Sequence, residues 1–180
     1  MLIRRDESLL LIIDMQERLA PAIEGGGQLV QRAELLLRAA KRLGVPMLAS
    51  EQYRNGLGLT LAVLCEQLPP ERRIEKLAFS AWREPAFAEA IRAEGKRQIL
   101  VAGMECHVCV LQTVLDLIGA GYEVFLLRDA VGSRKAVDRA AGLARMEAAG
   151  AVPVTSEMAV FEWLERAGTP EFKDLIDLIK

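Results

Sequence analysis

The sequence predicts an α/β protein with three layers, α/β/α, built on an open, mainly parallel, Rossmann-like sheet of about six strands. Short apolar runs typical of buried strands alternate with segments of helical periodicity. The connections between them are short, and no internal repeat interrupts the alternation. The 180 residues suffice for one full core, whereas an eightfold barrel needs about 250 residues. We therefore expect a single domain over residues 1–180 with an open sheet.

The first half of the chain supplies three predicted strands and the helices between them. Ser8–Ile13 is apolar after its serine, as expected for a strand buried on both faces. Gly44 closes a long amphipathic helix. In order, we expect a strand at 8–13, a helical turn at 19–23, a loop at 24–27, a helix at 28–43, a strand at 45–50, a loop at 51–58, a helix at 59–67 and a strand at 73–76.

The second half continues the alternation. Gly103 ends a central apolar strand, and apolar residues return at helical spacing from His107 onward. Ser133, and later Thr155 with Ser156, are suited to cap helices. In order, we expect a turn at 80–85, a helix at 86–93, a strand at 99–102, a helix after 107, a strand at 123–127, a loop at 128–131, a helix at 133–149, a strand at 152–154, a helix through 164 and a helix at 170–179.

Composition and charge argue against several classes of function. The net charge is −2, so the chain has no basic footprint for nucleic acid. No apolar run approaches the roughly 18 residues of a membrane span, and the run at 9–13 is too short for a signal peptide. Three cysteines without regular spacing argue against a disulfide framework. We expect a cytoplasmic protein with a small-molecule substrate, and the 52% hydrophobic content favours a homo-oligomer.

The turn after the central strand concentrates reactive side chains. Cys106, His107 and Cys109 comprise the only histidine and two of the three cysteines. The carboxyl end of a parallel strand is where α/β proteins place their ligands, and the amino terminus of the following helix favours an anion such as a thiolate. The sequence therefore predicts a reactive cysteine at this turn.

Each candidate also has a purely structural interpretation. Asp14, directly after the first strand, is either a general base or a loop aspartate that caps a turn. Lys76, at the end of the third strand, is by itself typical of a solvated charge. Buried cysteines often serve as small apolar residues. Cys106 and Cys109 also form a C-x-x-C motif, but thioredoxin-like domains place that motif after an early strand.

Several segments of the chain are similar to the isochorismatase-like cysteine hydrolases, and the resemblance is closest to the isochorismatase-domain branch. Three of them, in order, are LLIIDMQ at 10–16, EKLAFSAW at 75–82 and GMECHVCVLQT at 103–113. DAVGSR at 129–134 and the closing TPEFKDLIDLIK extend the likeness over nearly the whole chain. The resemblance implies an isochorismatase-like fold and a hydrolase activity.

The resemblance also implies roles for individual residues. Asp14 would be the base, Lys76 its cationic partner and Cys109 the nucleophile, with Cys106 only a neighbour. Lys76 and the helix amino terminus would lower the pKa of the Cys109 thiol. Backbone N–H groups of Glu105 and Cys109, beside a cis bond that follows Met104, would hold the oxyanion.

Two departures limit the substrate. Nicotinamidases of this family bind a divalent metal through an Asp and two His near the end of the second strand, where this chain has SEQY at 50–53. A site without metal or cofactor is therefore expected. Isochorismatases proper lack a cysteine at the position of Cys109. Gln16, Trp82 and His107 are candidates to line the substrate pocket, or else packing residues.

The predicted function is a metal-independent hydrolase that cleaves the C–N bond of a small amide through a thioester on Cys109. Two alternatives remain open at this point. A thiol redox protein would use Cys106 and Cys109, and an oligomeric binding module would leave the site chemically idle.

Overall fold

The computed structural model describes residues 1–179 and contains one sheet of six strands. All the strands pair in parallel, in the order β3-β2-β1-β4-β5-β6 given the numbering below. The predicted three-layer α/β/α class is confirmed. Lys180, the last residue of the predicted domain, lies outside the described residues. The strands are β1 (Ser8–Ile13), β2 (Met47–Gln52), β3 (Arg73–Lys76), β4 (Gln98–Met104), β5 (Glu123–Gly132) and β6 (Val152–Val154).

Helices cover both faces of the sheet. A π-helical turn, Cys106–Val110, leads into α5, and short 3-10 turns occur at Arg5–Glu7, Ala20–Ala22, Pro70–Arg72 and Ala81–Arg83. Within residues 1–179, none of the helices has the length and apolar character needed to span a bilayer. The α-helices are α1 (Gly26–Leu43), α2 (Arg54–Leu57), α3 (Ala62–Cys65), α4 (Pro85–Glu94), α5 (Leu111–Gly119), α6 (Ala136–Ala148), α7 (Ser156–Leu164) and α8 (Pro170–Ile179).

The core lies on both sides of the sheet because side chains alternate along each strand. Leu10 and Ile12 of β1 face the layer of α1, α7 and α8. Leu9, Leu11 and Ile13 face the layer of α4, α5 and α6. Burial of each such side chain contributes about 1.5–3 kcal/mol. β1 is therefore central to both halves of the core.

The second strand lies two residues later than predicted. β2 covers Met47–Gln52, so its carboxyl end includes Glu51 and Gln52, which were expected in a loop. Both side chains are buried and hydrogen-bonded, which makes a strand end compatible with polar residues. The rest of the predicted loop contains the short helix α2, and the helix expected at 59–67 is only α3, Ala62–Cys65.

The predicted loop at 128–131 is wrong because β5 continues to Gly132. Opposite β4, the register passes from Leu126 beside Val101 to Val131 beside Gly103. Residues 127–130 are therefore a bulge that interrupts the pairing with β4 and then returns to it. The polar pair at 128–129 within this bulge produces the loop-like pattern in the sequence.

Ser133 is not the cap of the following helix. α6 begins at Ala136 with Lys135 at the N-cap position, whereas Ser133 is buried. Its hydroxyl instead lies 3.0 Å from Nδ1 of His107. The later cap is confirmed, since Thr155 accepts a hydrogen bond from the N–H of Met158.

The switch in strand order places a crevice at the carboxyl ends of β1 and β4. Gly103 lets these strands approach closely: a Cβ atom there would lie 2.2 Å from the carbonyl oxygen of Ile13. Its φ of +143° also disfavours any other residue. Asp14 and the turn after β4 therefore lie side by side.

Candidate active site

Asp14 and Lys76 form a buried ion pair at the carboxyl edge of the sheet. Lys76 Nζ lies 2.8 Å from Asp14 Oδ2, and both side chains have 0% exposure. Lys76 is therefore not a solvated surface charge, since its ammonium is buried and in contact with a carboxylate. A buried pair of this kind is stable only where further hydrogen bonds satisfy both groups.

The backbone of Asp14 directs its carboxylate into the crevice. Because side chains alternate along a strand, Asp14 would be expected on the same face of the sheet as Leu10 and Ile12. Its left-handed φ of +52° ends that alternation. Ser50 of β2 then donates from Oγ to Asp14 Oδ1 at 2.6 Å. The N–H of Asp14 donates to the carbonyl of Ser50 at 3.1 Å. The carboxylate is therefore held by β2 as well as by Lys76.

Three neutral oxygens complete the surroundings of the Lys76 ammonium. Nζ donates to Gln52 Oε1 at 2.6 Å, to the carbonyl of Phe79 at 3.0 Å and to that of Ala78 at 3.2 Å. Together with Asp14, these acceptors compensate for the loss of water around the charge.

Cys109 lies on the π-helical turn and is only 6% exposed. Burial raises the pKa of its thiol above the ordinary range, the Asp14 charge raises it further, and the Lys76 charge lowers it. The structure therefore brings together the three residues expected at the site.

The expectation of a lowered thiol pKa is wrong. Burial and the Asp14 charge, which raise the pKa of the Cys109 thiol, outweigh the Lys76 charge, which lowers it, so the neutral thiol is favoured at rest. A neutral thiol beside a carboxylate has a built-in proton acceptor, which suits transfer of the proton during attack rather than before it.

Cys106 belongs to a different environment. Its thiol donates to the carbonyl of Arg139 on α6 at 3.7 Å, and burial raises the pKa of that thiol to about 11. Cys106 and Cys109 are both free thiols. Because Cys106 faces α6 and Cys109 faces the ion pair, the geometry favours a neighbour role for Cys106 over a redox motif.

The turn that leads to Cys109 is anchored on two sides. The peptide bond between Met104 and Glu105 is cis. The Glu105 carboxylate accepts from Nε of Arg134 at 2.9 Å and from its N–H at 3.3 Å. A Cβ atom on Gly142 of α6 would lie 3.0 Å from the Cys106 carbonyl oxygen, so the turn packs directly on that helix.

The three candidate pocket residues lie in different places. The Gln16 side chain is buried and bonds to the backbone of Gln52 and Gly58. Trp82 packs edge-on against Tyr122, with ring centroids 5.5 Å apart. His107, next to the site, bonds to Ser133 as described above. Pocket lining by these residues stays a prediction.

Two polar residues of the site were missed in the sequence. Ser50 and Gln52 alternate along β2 and face the same side of the sheet as Cys109, each bonded to one member of the ion pair. Their two-residue spacing in MLASEQ is the available signal, but the predicted strand ends at Ser50 and leaves Gln52 in a loop. Within the part of the chain that the structure describes, no group of three or more His, Cys, Asp or Glu side chains is arranged to hold a metal ion.

Sequence comparison gives consistent matches. The sequence profile of the isochorismatase domain matches residues 8–158. The isochorismatase domain-containing protein 1 of Danio rerio is 36% identical over 173 residues, which are 96% of this chain and 61% of that protein. The isochorismatase domain-containing protein 2A of Mus musculus is 37% identical over 176 residues, 97% of this chain and 84% of that protein. The chain thus spans less than two thirds of the first of these relatives.

Solved structures share the same fold. The MAR1 ribonuclease of Caenorhabditis elegans superposes with a TM-score of 0.92 at 34% identity, covering 99% of this chain and 92% of that one. YcaC of Pseudomonas aeruginosa, solved with hexane-2,5-diol and covalent acrylamide, has a TM-score of 0.92 at 24% identity, with 98% and 91% covered. The Escherichia coli YcaC gene product, described as an octameric hydrolase of unknown specificity, gives a TM-score of 0.92 at 24% identity, with 98% and 90% covered.

Proposed function

The chain belongs to the isochorismatase family of hydrolases, and on that premise we propose that it cleaves the C–N bond of a small amide through a thioester on Cys109. The observation that carries the proposal is the buried Asp14–Lys76 pair, whose two charges act on the Cys109 thiol. A thiol with a base and a fixed cation beside it has the parts that nucleophilic acyl transfer needs.

In the first step, Asp14 takes the proton of the Cys109 thiol while the sulfur attacks the amide carbonyl carbon. The C–S bond forms and the carbonyl π electrons move to oxygen, which becomes an oxyanion. Backbone N–H groups of Glu105 and Cys109 stabilise this oxyanion. Lys76 stays hydrogen-bonded to Asp14 and stabilises the negative charge as it passes from the carboxylate through the sulfur to the carbonyl oxygen.

In the second step, the protonated Asp14 gives its proton to the amide nitrogen. The C–N bond breaks, the oxyanion collapses to a carbonyl, and an amine or ammonia leaves. The product on the enzyme is a thioester of Cys109. Water then attacks the thioester carbon as Asp14 removes its proton. The C–S bond breaks, the carboxylic acid leaves, and the proton returns to the Cys109 sulfur.

This mechanism agrees with a neutral resting thiol. Burial, and after it the Asp14 charge, raises the pKa of the Cys109 thiol, so a permanent thiolate would be costly in this site. Coupling deprotonation to attack avoids the cost. The steps as written use only side chains and backbone groups of this chain and water.

The rival functions are less well supported. A redox role needs Cys106 and Cys109 to pair, yet the Cys106 thiol bonds to the Arg139 carbonyl. The ribonuclease name of the structural neighbour raises RNA as a substrate. A net charge of −2 provides little attraction for a phosphate backbone.

A homo-oligomeric assembly is part of the proposal. The E. coli YcaC neighbour is described as octameric. In this chain Leu77 is 69% exposed and Phe79 is 55% exposed, both on the loop that contacts the Lys76 ammonium. Apolar side chains this exposed beside a site favour coverage by another subunit.

The test is a screen of small primary and secondary amides for release of ammonia or amine, with acrylamide and a short RNA included. We expect turnover of an amide by the wild type and by Cys106→Ser, and none by Cys109→Ser. Mass spectrometry after acid quenching should find an acyl group on Cys109. RNA cleavage that survives Cys109→Ser, or an amide turnover that requires Cys106, would contradict the proposal.

A further inference from the structure

We propose that Gln52 is a positioning residue of this site: its side-chain carbonyl aims the Lys76 ammonium at Asp14 and Cys109. The proposal rests on the cysteine chemistry proposed above. Gln52 does not itself touch the reacting atoms, so it acts through Lys76.

The strand order explains why a residue of β2 is needed. β2 lies between β3, which ends at Lys76, and β1, which ends before Asp14. Since neighbouring strands are about 4.8 Å apart, the side chains of Lys76 and Asp14 together span roughly 10 Å of sheet edge to meet over β2. Gln52 is directly opposite Lys76 in the register, so its side chain lies along that path.

The hydrogen bonds show how Gln52 holds the ammonium. An ammonium group has three N–H donors, but Lys76 Nζ has four acceptors within range. The contact with Gln52 Oε1, at 2.6 Å, is the shortest of the four. The other two neutral acceptors, Ala78 and Phe79, are on the loop that follows β3. Without Gln52, the neutral acceptors would all lie on that loop, and the ammonium would be drawn toward it.

Gln52 is itself fixed at both ends. Its Nε2 donates to the carbonyl of Leu77 at 2.9 Å. The side chain of Gln16 makes two hydrogen bonds to the backbone of Gln52. It donates to the Gln52 carbonyl at 3.0 Å and accepts from the Gln52 N–H at 2.7 Å. The same Gln16 amide donates to Gly58 at 2.7 Å, which ties the strand end to the following loop. A group held in this way is preorganised to fix the position of its partner.

The measurement is the iodoacetamide labelling rate of Cys109 at pH 8, with the site identified by mass spectrometry. Only the thiolate reacts, so a half-unit rise in thiol pKa slows labelling about threefold. We expect Gln52→Met to slow Cys109 labelling at least threefold, because a misplaced ammonium stabilises the thiolate less. In a Lys76→Met background, the same substitution should change nothing, since its target is already absent.

Gln98→Met is the matched control. Gln98 is also a buried glutamine with three hydrogen bonds, to Arg4, Leu2 and Glu123, but it begins β4 at the opposite edge of the sheet. Its removal should leave the Cys109 rate unchanged. If Lys76→Met does not fold, the background is Asp14→Asn/Lys76→Met, which removes both charges.

Three results would overturn the proposal: an unchanged rate in Gln52→Met, a faster rate, or the same slowing with and without Lys76. The same slowing with and without Lys76 would mean that Gln52 controls the access of the reagent to Cys109 or the packing around it. The assay uses no substrate, so a failed amide screen would leave it valid and would count only against the hydrolase function.

Discussion

Thr113 Oγ1 donates a 2.7 Å hydrogen bond to the carbonyl of Cys109 and accepts one from the N–H of Ala81 at 2.9 Å. One buried hydroxyl therefore joins α5, the turn that bears the nucleophile, and the segment after β3. The loop that contacts the Lys76 ammonium and the Cys109 backbone are thus linked independently of the ion pair.

This link predicts the effect of Thr113→Val. Valine has nearly the same shape but leaves the buried N–H of Ala81 without an acceptor, so we expect a loss of about 1–3 kcal/mol in the free energy of unfolding. Urea denaturation measures the loss. Thr113→Ser keeps the hydroxyl and loses only the methyl group, so it should be destabilised less than Thr113→Val. A loss in Thr113→Ser as large as that in Thr113→Val would contradict the dominant role of the two hydrogen bonds.

Removing the charge of Asp14 and removing that of Lys76 should shift the pKa of the Cys109 thiol in opposite directions. The Asp14 charge raises its pKa, so Asp14→Asn should speed labelling by iodoacetamide by about tenfold per unit of pKa removed. Hydrolysis should nevertheless fall by 10²-fold or more, as a rough magnitude, because the base is gone. Lys76→Met should slow both. Labelling and hydrolysis that change in the same direction in Asp14→Asn would exclude Asp14 as the base.

Alkali should destabilise the fold through Cys106. Burial raises the pKa of this thiol from 9.0 to about 11, so its folded state favours the protonated form. The resulting stability is present below pH 9 and is lost as the pH rises through about 11, a change of roughly 2–3 kcal/mol. Urea denaturation at pH 7 and at pH 11 should show a smaller drop for Cys106→Ala than for the wild type. Equal drops would assign the alkaline loss to other groups.

Gly103 should be intolerant of any side chain. Gly103→Ala places a Cβ atom 2.2 Å from the Ile13 carbonyl oxygen at a φ of +143°. We expect a loss of about 3 kcal/mol or more in the free energy of unfolding, or failure to fold. Gly27→Ala in α1 is the control, because no atom lies within 4 Å of its Cβ position. It should be neutral or stabilising by up to about 1 kcal/mol.

Light scattering of the purified protein should give a molar mass that is a multiple of the single chain. If the exposed loop is covered in the assembly, Leu77→Glu/Phe79→Glu should reduce that mass. Val137→Glu changes an apolar side chain of similar exposure, 71%, on α6 and is the comparison. A wild-type monomer at micromolar concentration would refute the assembly.

The parts of the fold set by strong local patterns were predictable. β1 and β3 begin and end at the predicted residues. For β1 the local signal is an apolar run that Asp14 ends, and for β3 it is a short segment between Pro69–Pro70 and the turn at 80–85. The end of β2 was not, since Glu51 and Gln52 are buried through hydrogen bonds to distant residues rather than through hydrophobicity. The direction of the Cys109 pKa shift was also not predictable, because it depends mainly on how deeply the thiol is buried in the folded structure.

The strand order has a consequence for the time at which the site forms during folding. Asp14, Lys76 and Cys109 come from β1, β3 and the turn after β4, and β3 is an edge strand that pairs only with β2. A chain in which β2 and β3 have paired but β1 and β4 have not therefore lacks the contact between Asp14 and the turn that bears Cys109. The pairing of β1 with β4 joins residues 90 apart in the chain (Ser8 with Gln98), against 24 for β2 with β3 (Ala49 with Arg73). Because strongly non-local pairings form late, we expect catalytic competence to appear only when β1 pairs with β4, at a late stage of refolding.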